Sequence, residues 1–245
     1  MWNESFFSAP QLKRDPLGGS TFVRMSTRLW IALLAAGAFL LAFGLGGGAG
    51  ASINFVNGVG TYEASSSVLS LLGGLAILIT YSISLEPTDP RLTGSRAGLG
   101  RRAVAWFIDF LLALTALTSV LALIPLTTEA LATGQFAWEF QRSQISVQDW
   151  LVTLIVVSLT FVGMAYYWAL PVMRGGQTVG QCILGLRVIS AAVVSLSPWR
   201  VSLRGLMQPF APLFWLVKVV SGKYWPDEVA NTKVVRVLDH SSAAA

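Results

Sequence analysis

The hydrophobic positions of this chain gather into long runs, and the charged positions lie between them. A helix that crosses a bilayer takes about 20 mostly apolar residues, and four runs reach that length. Leu29 to about Gly48 carries no charge and ends in the small-residue run Gly44 to Ala51. Ser66 to Leu85 is likewise uncharged; Ala103 to Leu126 holds a single charge, Asp109, and Leu151 to Met173 holds none. A fifth run, Gly205 to Val217, is 13 residues long and is broken by Pro209 and Pro212, which remove helix hydrogen bonds. It reads as a re-entrant or interfacial element, or as a kinked span completed by Lys218 to Val220. The fold class expected is all-α: a polytopic transmembrane helical bundle of four spans plus the short proline-broken fifth segment.

The charges between the runs set an orientation. With the N-terminus inside, the inner segments hold Lys13, Arg14, Arg24, Arg28, Arg91, Arg96, Arg101, Arg102, Arg174, Arg187, Arg200, Arg204, Lys218, Lys223, Lys233 and Arg236. Of the 17 basic residues only Arg142 falls outside, where Glu63, Glu129, Glu139 and Asp149 also lie. This positive-inside division predicts an even number of crossings, both termini in the cytoplasm and Thr127 to Trp150 on the outer face. The setting it implies is the bacterial inner membrane.

Composition agrees. Hydrophobic residues make up 54% of the 245 and charged residues 12%, with a mean hydropathy of +0.64; a soluble domain needs about twice that charged share. The net charge of +5 and pI near 9.7 follow from topology and contact with the bilayer surface, so no nucleic-acid partner is expected. With one cysteine, Cys182, and one histidine, His240, an intramolecular disulfide is excluded. A Cys/His metal site and a Ser-His-Asp triad have too few residues to draw on. No enzyme activity, cofactor or metal is expected. Leu29 to Gly48 followed by Ala49 and Ala51 also fits a signal peptide, more ordinarily if counted from Met25, although the 28-residue leader is long for one. Ser241 to Ala245 reads as a tail.

Organisation changes near residue 90. Residues 1–28 form an N-terminal cytoplasmic segment, 29–85 a hydrophobic hairpin and 86–98 a cytoplasmic linker. The chemically varied part is 99–237, and 238–245 is a disordered tail. The hairpin's Ala35-Ala36-Gly37-Ala38 and Gly73-Gly74 suit close helix packing, within the chain or against a homo-oligomeric or other membrane partner. Asp109 stands about 10 Å into its run at about 1.5 Å per residue, and a carboxylate at that depth faces a protein or water cavity. Arg102, seven residues earlier on nearly the same face, cannot close that gap alone, so a second cation is expected to share Asp109. Arg174 to Ile189, rich in glycine (Gly175, Gly176, Gly180, Gly185) with Gln177 and Thr178, reads as a tight-turning polar segment at the membrane. It lacks the Gly-Lys-Ser/Thr of a phosphate loop.

Four elements in order resemble one family. Arg102, Ala105 and Ile108-Asp109 are similar to the helix opening of the RDD family, named for one arginine and two aspartates. Gly176-Gln177-Thr178-Val179-Gly180 resembles that family's Gly-Gln-Thr-Pro-Gly-Lys turn, followed by Leu184-Gly185-Leu186-Arg187-Val188. Arg204 falls where the family has an arginine ahead of its last apolar segment. Asp227 to Val235 resembles the closing Asp-Arg-x-x-Gly-Thr-x-Val-Val, with Asp227 as the second aspartate and Thr232 as the threonine. Val179 stands for the proline, Gln181 for the lysine, Glu228 for the arginine and Asn231 for the glycine. The resemblance, over about residues 99–237, implies a transport role, with monovalent cation/proton exchange attributed to some members. It makes Asp109, Asp227, Arg102, Arg204, Gln177 and Thr178 the candidates for an ion or proton site. The other class open to the sequence is a non-catalytic membrane scaffold or partner subunit.

Overall fold

The computed structural model describes residues 19–56, 59–84, 95–174, 177–191 and 197–236. Three helical stretches in it are long and apolar enough to cross a membrane. Arg28–Leu45 is most of α1 (Gly19–Phe39) with the π turn Leu40–Leu45 that continues it. Leu99–Thr133 is α3 (Leu99–Leu121) followed by α4 (Leu123–Thr133), and Val147–Arg174 is α5. The run expected to form the second span is α2 (Val68–Ser84), an apolar helix of 17 residues. At about 1.5 Å per residue it falls a few ångströms short of a hydrocarbon core of about 30 Å. The four full-length spans expected are thus three, plus one shorter apolar helix.

The all-α expectation also needs correction, because two small sheets close the two ends of the bundle. At one end β1 (Gly50–Val56) and β2 (Val59–Ser65) form an antiparallel hairpin with Val56 opposite Val59, and β3 (Glu139–Arg142) adds beside β2. These strands link α1 to α2 and α4 to α5. At the other end β4 (Leu186–Ser190) pairs antiparallel with β5 (Thr232–Arg236), Leu186 opposite Arg236. The approach to α3 is fastened to this second sheet by Ala97 N–H donating to the Val234 carbonyl (3.0 Å) and Arg236 N–H to that of Ser95 (3.1 Å). Strands of four to seven residues carry too few alternations to announce themselves against long apolar runs.

The Arg174–Ile189 segment, expected to be a turn, contains a helix as well. Thr178 caps α6 (Val179–Ile183), and Gly185 takes a positive φ of 62° before β4. Gly175 and Gly176 lie outside the described residues, as do Ser241 to Ala245 and most of the 86–98 linker. The fifth apolar run divides as its prolines require. Pro198 opens α7 (Pro198–Met207), Pro209 sits in the 3-10 turn Gln208–Phe210, and Pro212 lies in the first turn of α8 (Ala211–Ser221). A helix needs no N–H bond in that first turn. Neither α7 nor α8 is long enough to cross a bilayer. The remaining helix is α9 (Trp225–Ala230).

The core has two centres. Ile31, Ala35 and Ala38 of α1, Ile77 and Tyr81 of α2, Ala113 and Ala116 of α3, Tyr167 and Trp168 of α5 and Val179 of α6 form the first. The second joins Ala105, Ala169 and Val172 to Leu186, Val188, Val201 and Val234, seating the β4–β5 sheet and α7 on α3 and α5. The outer face of α5, with Leu151, Leu154, Phe161 and Val162 exposed, has the apolar surface of a lipid-facing helix.

Candidate functional site

Arg102, Ala105 and Asp109 recur at i, i+3 and i+7 on α3, which puts them on one helical face. Ala105 and Asp109 meet α6. A Cβ on Gly180 would lie 2.3 Å from the Ala105 carbonyl oxygen and 3.0 Å from the Asp109 carboxyl carbon, so only glycine allows α6 to come this close. That approach lets Gly180 N–H donate to Asp109 Oδ1 at 2.7 Å. Thr178 Oγ1 donates to Oδ2 at 2.5 Å, and Tyr167 Oη donates to Oδ1 at 3.1 Å. Thr178 also accepts from Gln181 N–H, while Gln181 Oε1 accepts from Thr178 N–H (3.3 Å each), a reciprocal capping box.

Asp109 is 1% exposed, and among the described residues no basic side chain pairs with it. The expected shared cation is therefore replaced by three neutral donors. Arg102 is engaged elsewhere: its Nη2 donates to Asp227 Oδ2 at 2.6 Å, and Arg204 Nε donates to Asp227 Oδ1 at 3.2 Å. Arg204 is 3% exposed. The Arg102 guanidinium lies over the Tyr224 ring, 4.5 Å from its centroid. Burial pushes the Tyr224 hydroxyl above its ordinary pKa, with the Arg204 charge opposing that shift. It therefore remains a protonated group beside the cluster.

The two groups border one cavity of about 30 Å³, lined by Arg102, Asp109, Gln181, Arg204, Gln208 and Tyr224 together with tryptophan rings. About 10–15 Å³ admits one water, so the space suits one or two waters or a small ion stripped of most of its hydration. Trp106 closes one wall by donating its ring N–H to the Gln208 carbonyl (2.8 Å) and standing edge-on to Trp215. Arg102 and Arg204 thus share this space with Asp109, while both bind Asp227, which is not in its lining.

The structure therefore brings Arg102, Arg204 and Asp227 into one ion cluster and sets Asp109 with Thr178 across a water-sized gap. Gln177 is not at the cavity; its Nε2 donates to the Leu186 carbonyl at 2.6 Å and ties α6 to β4. Arg187 is buried in β4, and Thr232 opens β5. Gly176 lies outside the described residues. Sequence reasoning missed Tyr167, Gln181, Gln208 and Tyr224. For Tyr167 the sequence shows an aromatic run, Tyr166-Tyr167-Trp168, but not which ring turns inward; Tyr166 is 63% exposed and Tyr167 5%. A second polar cluster lies at the opposite end of the bundle. There Arg142, the one basic residue of the predicted outer loops, pairs with both Glu129 and Asp149. Asp149 also accepts from Ser146 N–H and Oγ at 2.8 Å, capping α5.

Residues 96–227 match the RDD family. That is over half of the chain, and the protein belongs to this family, as a membrane protein. Comparison with the curated proteins and with the solved structures finds no match.

Proposed function

We propose that this protein is a multi-pass carrier of the bacterial inner membrane that exchanges protons for monovalent cations, with Asp109 as the group that takes up the proton or the cation. The observation that supports this reading is a fully buried carboxylate on a membrane-crossing helix, met among the described residues only by neutral donors and bordering a water-sized cavity. An ionisable group at such depth is a functional-site hypothesis by default. The donors are suited to exchange: the Thr178 and Tyr167 hydroxyls can turn from donating to accepting when Asp109 gains a proton, or can turn their oxygens toward a bound cation. Arg102 and Arg204 line the same space and, sharing the single carboxylate of Asp227, present a surplus positive charge to whatever enters it.

We read the topology as four crossings, with α2 as the second, both termini cytoplasmic and the β1–β2–β3 sheet outside. This orientation keeps 16 of the 17 basic residues inside and leaves α7 and α8 at the inner interface. The alternative of a non-catalytic scaffold drew its motive from small residues free to meet a partner helix. Within the chain, a Cβ on Gly73 would strike Ala42 and one on Gly74 would strike Ser119. Gly73 and Gly74 are thus used in packing α1, α2 and α3 together, while Gly37 has open space around it.

The test is Asp109→Asn in proteoliposomes carrying a pH-sensitive dye, with sodium, potassium or lithium added in turn. Asparagine keeps the acceptor for Gly180 N–H and Tyr167, and its amide can donate to Thr178, but it neither titrates nor neutralises a cation. No arginine is left unpaired, so the protein should fold with a loss of about 1–2 kcal/mol while exchange disappears. Undiminished exchange in the variant would remove Asp109 from the mechanism.

A further inference from the structure

Beside the ion cluster, the start of α3, the end of α8, α9 and β5 wall a separate pocket of about 170 Å³, which Asp109 does not line. Four cationic side chains line it, Arg96, Arg102, Lys218 and Lys233, against the carboxylates of Asp227 and Glu228. Asp227 is committed to Arg102 and Arg204. Among the described residues Arg96, Lys218 and Lys233 make no ion pair, and neither does Glu228. The lining thus carries a surplus of two positive charges with no anion assigned to them. Thr232 adds an independent sign. It lines the same pocket, is 5% exposed, and its Oγ1 has no hydrogen-bond partner among the described residues. A buried hydroxyl without a partner is costly, and such groups normally meet a protein atom, a water or a ligand.

A surplus of cations around a buried hydroxyl, in a space wide enough for a tetrahedral oxyanion, is the chemistry of phosphate recognition. The pocket's surroundings indicate where that phosphate comes from. Lys218 sits near the end of α8, whose Leu213, Leu216, Val219 and Val220 are exposed apolar side chains. A phosphate held by Lys218 and Lys233 thus has an unpartnered hydrocarbon-like helix beside it. We propose that this pocket binds a phosphate group, delivered as the headgroup of an anionic phospholipid whose chains lie along α8. Basic pockets at the membrane face of helical proteins take headgroups in this way.

The experiment uses the full chain in a neutral detergent. It is titrated with short-chain phosphatidylglycerol, with phosphatidylcholine of the same chain length and with inorganic phosphate, and binding is read by tryptophan fluorescence and native mass spectrometry. Phosphatidylglycerol should bind saturably and more tightly than phosphatidylcholine. Lys233→Gln should weaken it about ten-fold, the loss of one charge-assisted hydrogen bond. Thr232→Val should weaken it several-fold without lowering the thermal transition, because the hydroxyl it removes has no protein partner to lose. Arg101→Gln, an exposed cation outside the pocket, removes the same charge and should change nothing. Inorganic phosphate binding with the same dependence on Lys233 and Thr232, where the lipid does not bind, would keep the phosphate site and assign it to a free oxyanion. The proposal is overturned if neither probe binds saturably, or if Arg101→Gln weakens binding as much as Lys233→Gln does, since that result would reduce the effect to bulk charge.

Discussion

Removing the charge of Asp227 should destabilise this protein more than removing either arginine beside it. In Asp227→Asn the two guanidiniums lose their shared anion. Arg102 keeps part of its compensation, since its side chain is 12% exposed and lies over the Tyr224 ring, a contact worth about 0.5–2 kcal/mol. Arg204 keeps no other ion pair among the described residues: it is 3% exposed and Asp227 is its partner. Leaving one charge of a buried pair uncompensated costs about 3–5 kcal/mol, a large share of a typical stability of about 5–15 kcal/mol. Arg204→Gln should cost less, because Asp227 keeps the shorter Arg102 bond at 2.6 Å. The double variant Asp227→Asn with Arg204→Gln should recover part of the loss, because it removes the orphaned charge together with its partner. The assay is the apparent thermal transition of detergent-solubilised protein by intrinsic tryptophan fluorescence, at one fixed scan rate because unfolding is expected to be irreversible. The single Asp227 variant should fall on the order of 10 °C. An Asp227→Asn protein as stable as the parent, or a double variant no better than the single, would show that the cluster carries no such coupling.

Other consequences follow from the same geometry. Gly180→Ala should lower the transition by about 1–3 kcal/mol, since the added methyl meets the Ala105 carbonyl. Gly37→Ala, at a helical glycine with open space around it, should be neutral or stabilising by up to about 1 kcal/mol; equal effects from the two would refute the close-approach argument. Asp149→Ala removes both the acceptor for Ser146 N–H and Oγ at the start of α5 and one partner of Arg142, and should cost about 1–2 kcal/mol, seen as faster proteolysis between α4 and α5. For the orientation, in a Cys182→Ser background, Gln135→Cys should react with a membrane-impermeant thiol reagent added outside intact cells, and Lys223→Cys should not. Labelling at Lys223→Cys would mean that α7 and α8 cross the bilayer together.

Legibility followed the length of the signal. The long apolar runs appear as α1, α3 with α4, and α5, because a run of about 20 uncharged residues has few alternatives. The proline break at Pro209 and Pro212 falls where the helices part. The strands did not show, since β2–β3 and β4–β5 pair across 42 to 80 residues and the side chains of the local β1–β2 hairpin show little alternation. In the site, the spacing of Arg102, Ala105 and Asp109 could be read as one helical face. That Gly180 and Thr178, some 70 residues on, complete Asp109 could not, because nothing local to either segment encodes their meeting. The same gap produced the error over a second cation. A buried carboxylate can be satisfied by an arginine or by three neutral donors, and composition does not distinguish them.

The departures from the RDD pattern become intelligible once each is placed in the backbone. Val179 stands for a proline at the first position of α6, where proline is favoured for its fixed φ but where no N–H bond is lost without it; the side chain instead fills the core at 0% exposure. Gln181 stands for a lysine at the third position, and it supplies the acceptor that closes the capping box on Thr178, which a lysine cannot do. Asn231 stands for a glycine at the end of α9 with φ of 53°, and asparagine is among the few side chains that tolerate this left-handed conformation. These three changes keep the backbone and remove one cation. Glu228 differs in kind, for it is exposed and adds a negative charge to the rim of the pocket lined by Arg96, Lys218 and Lys233. That pocket remains positive despite it, and the Asp109 cavity contains one of the four, Gln181, where a neutral amide stands for the lysine. The sequence differences therefore lower the positive charge both at the membrane face, through Glu228, and beside Asp109, through Gln181, while the Thr178 and Gly180 hydrogen bonds to Asp109 come from residues that match.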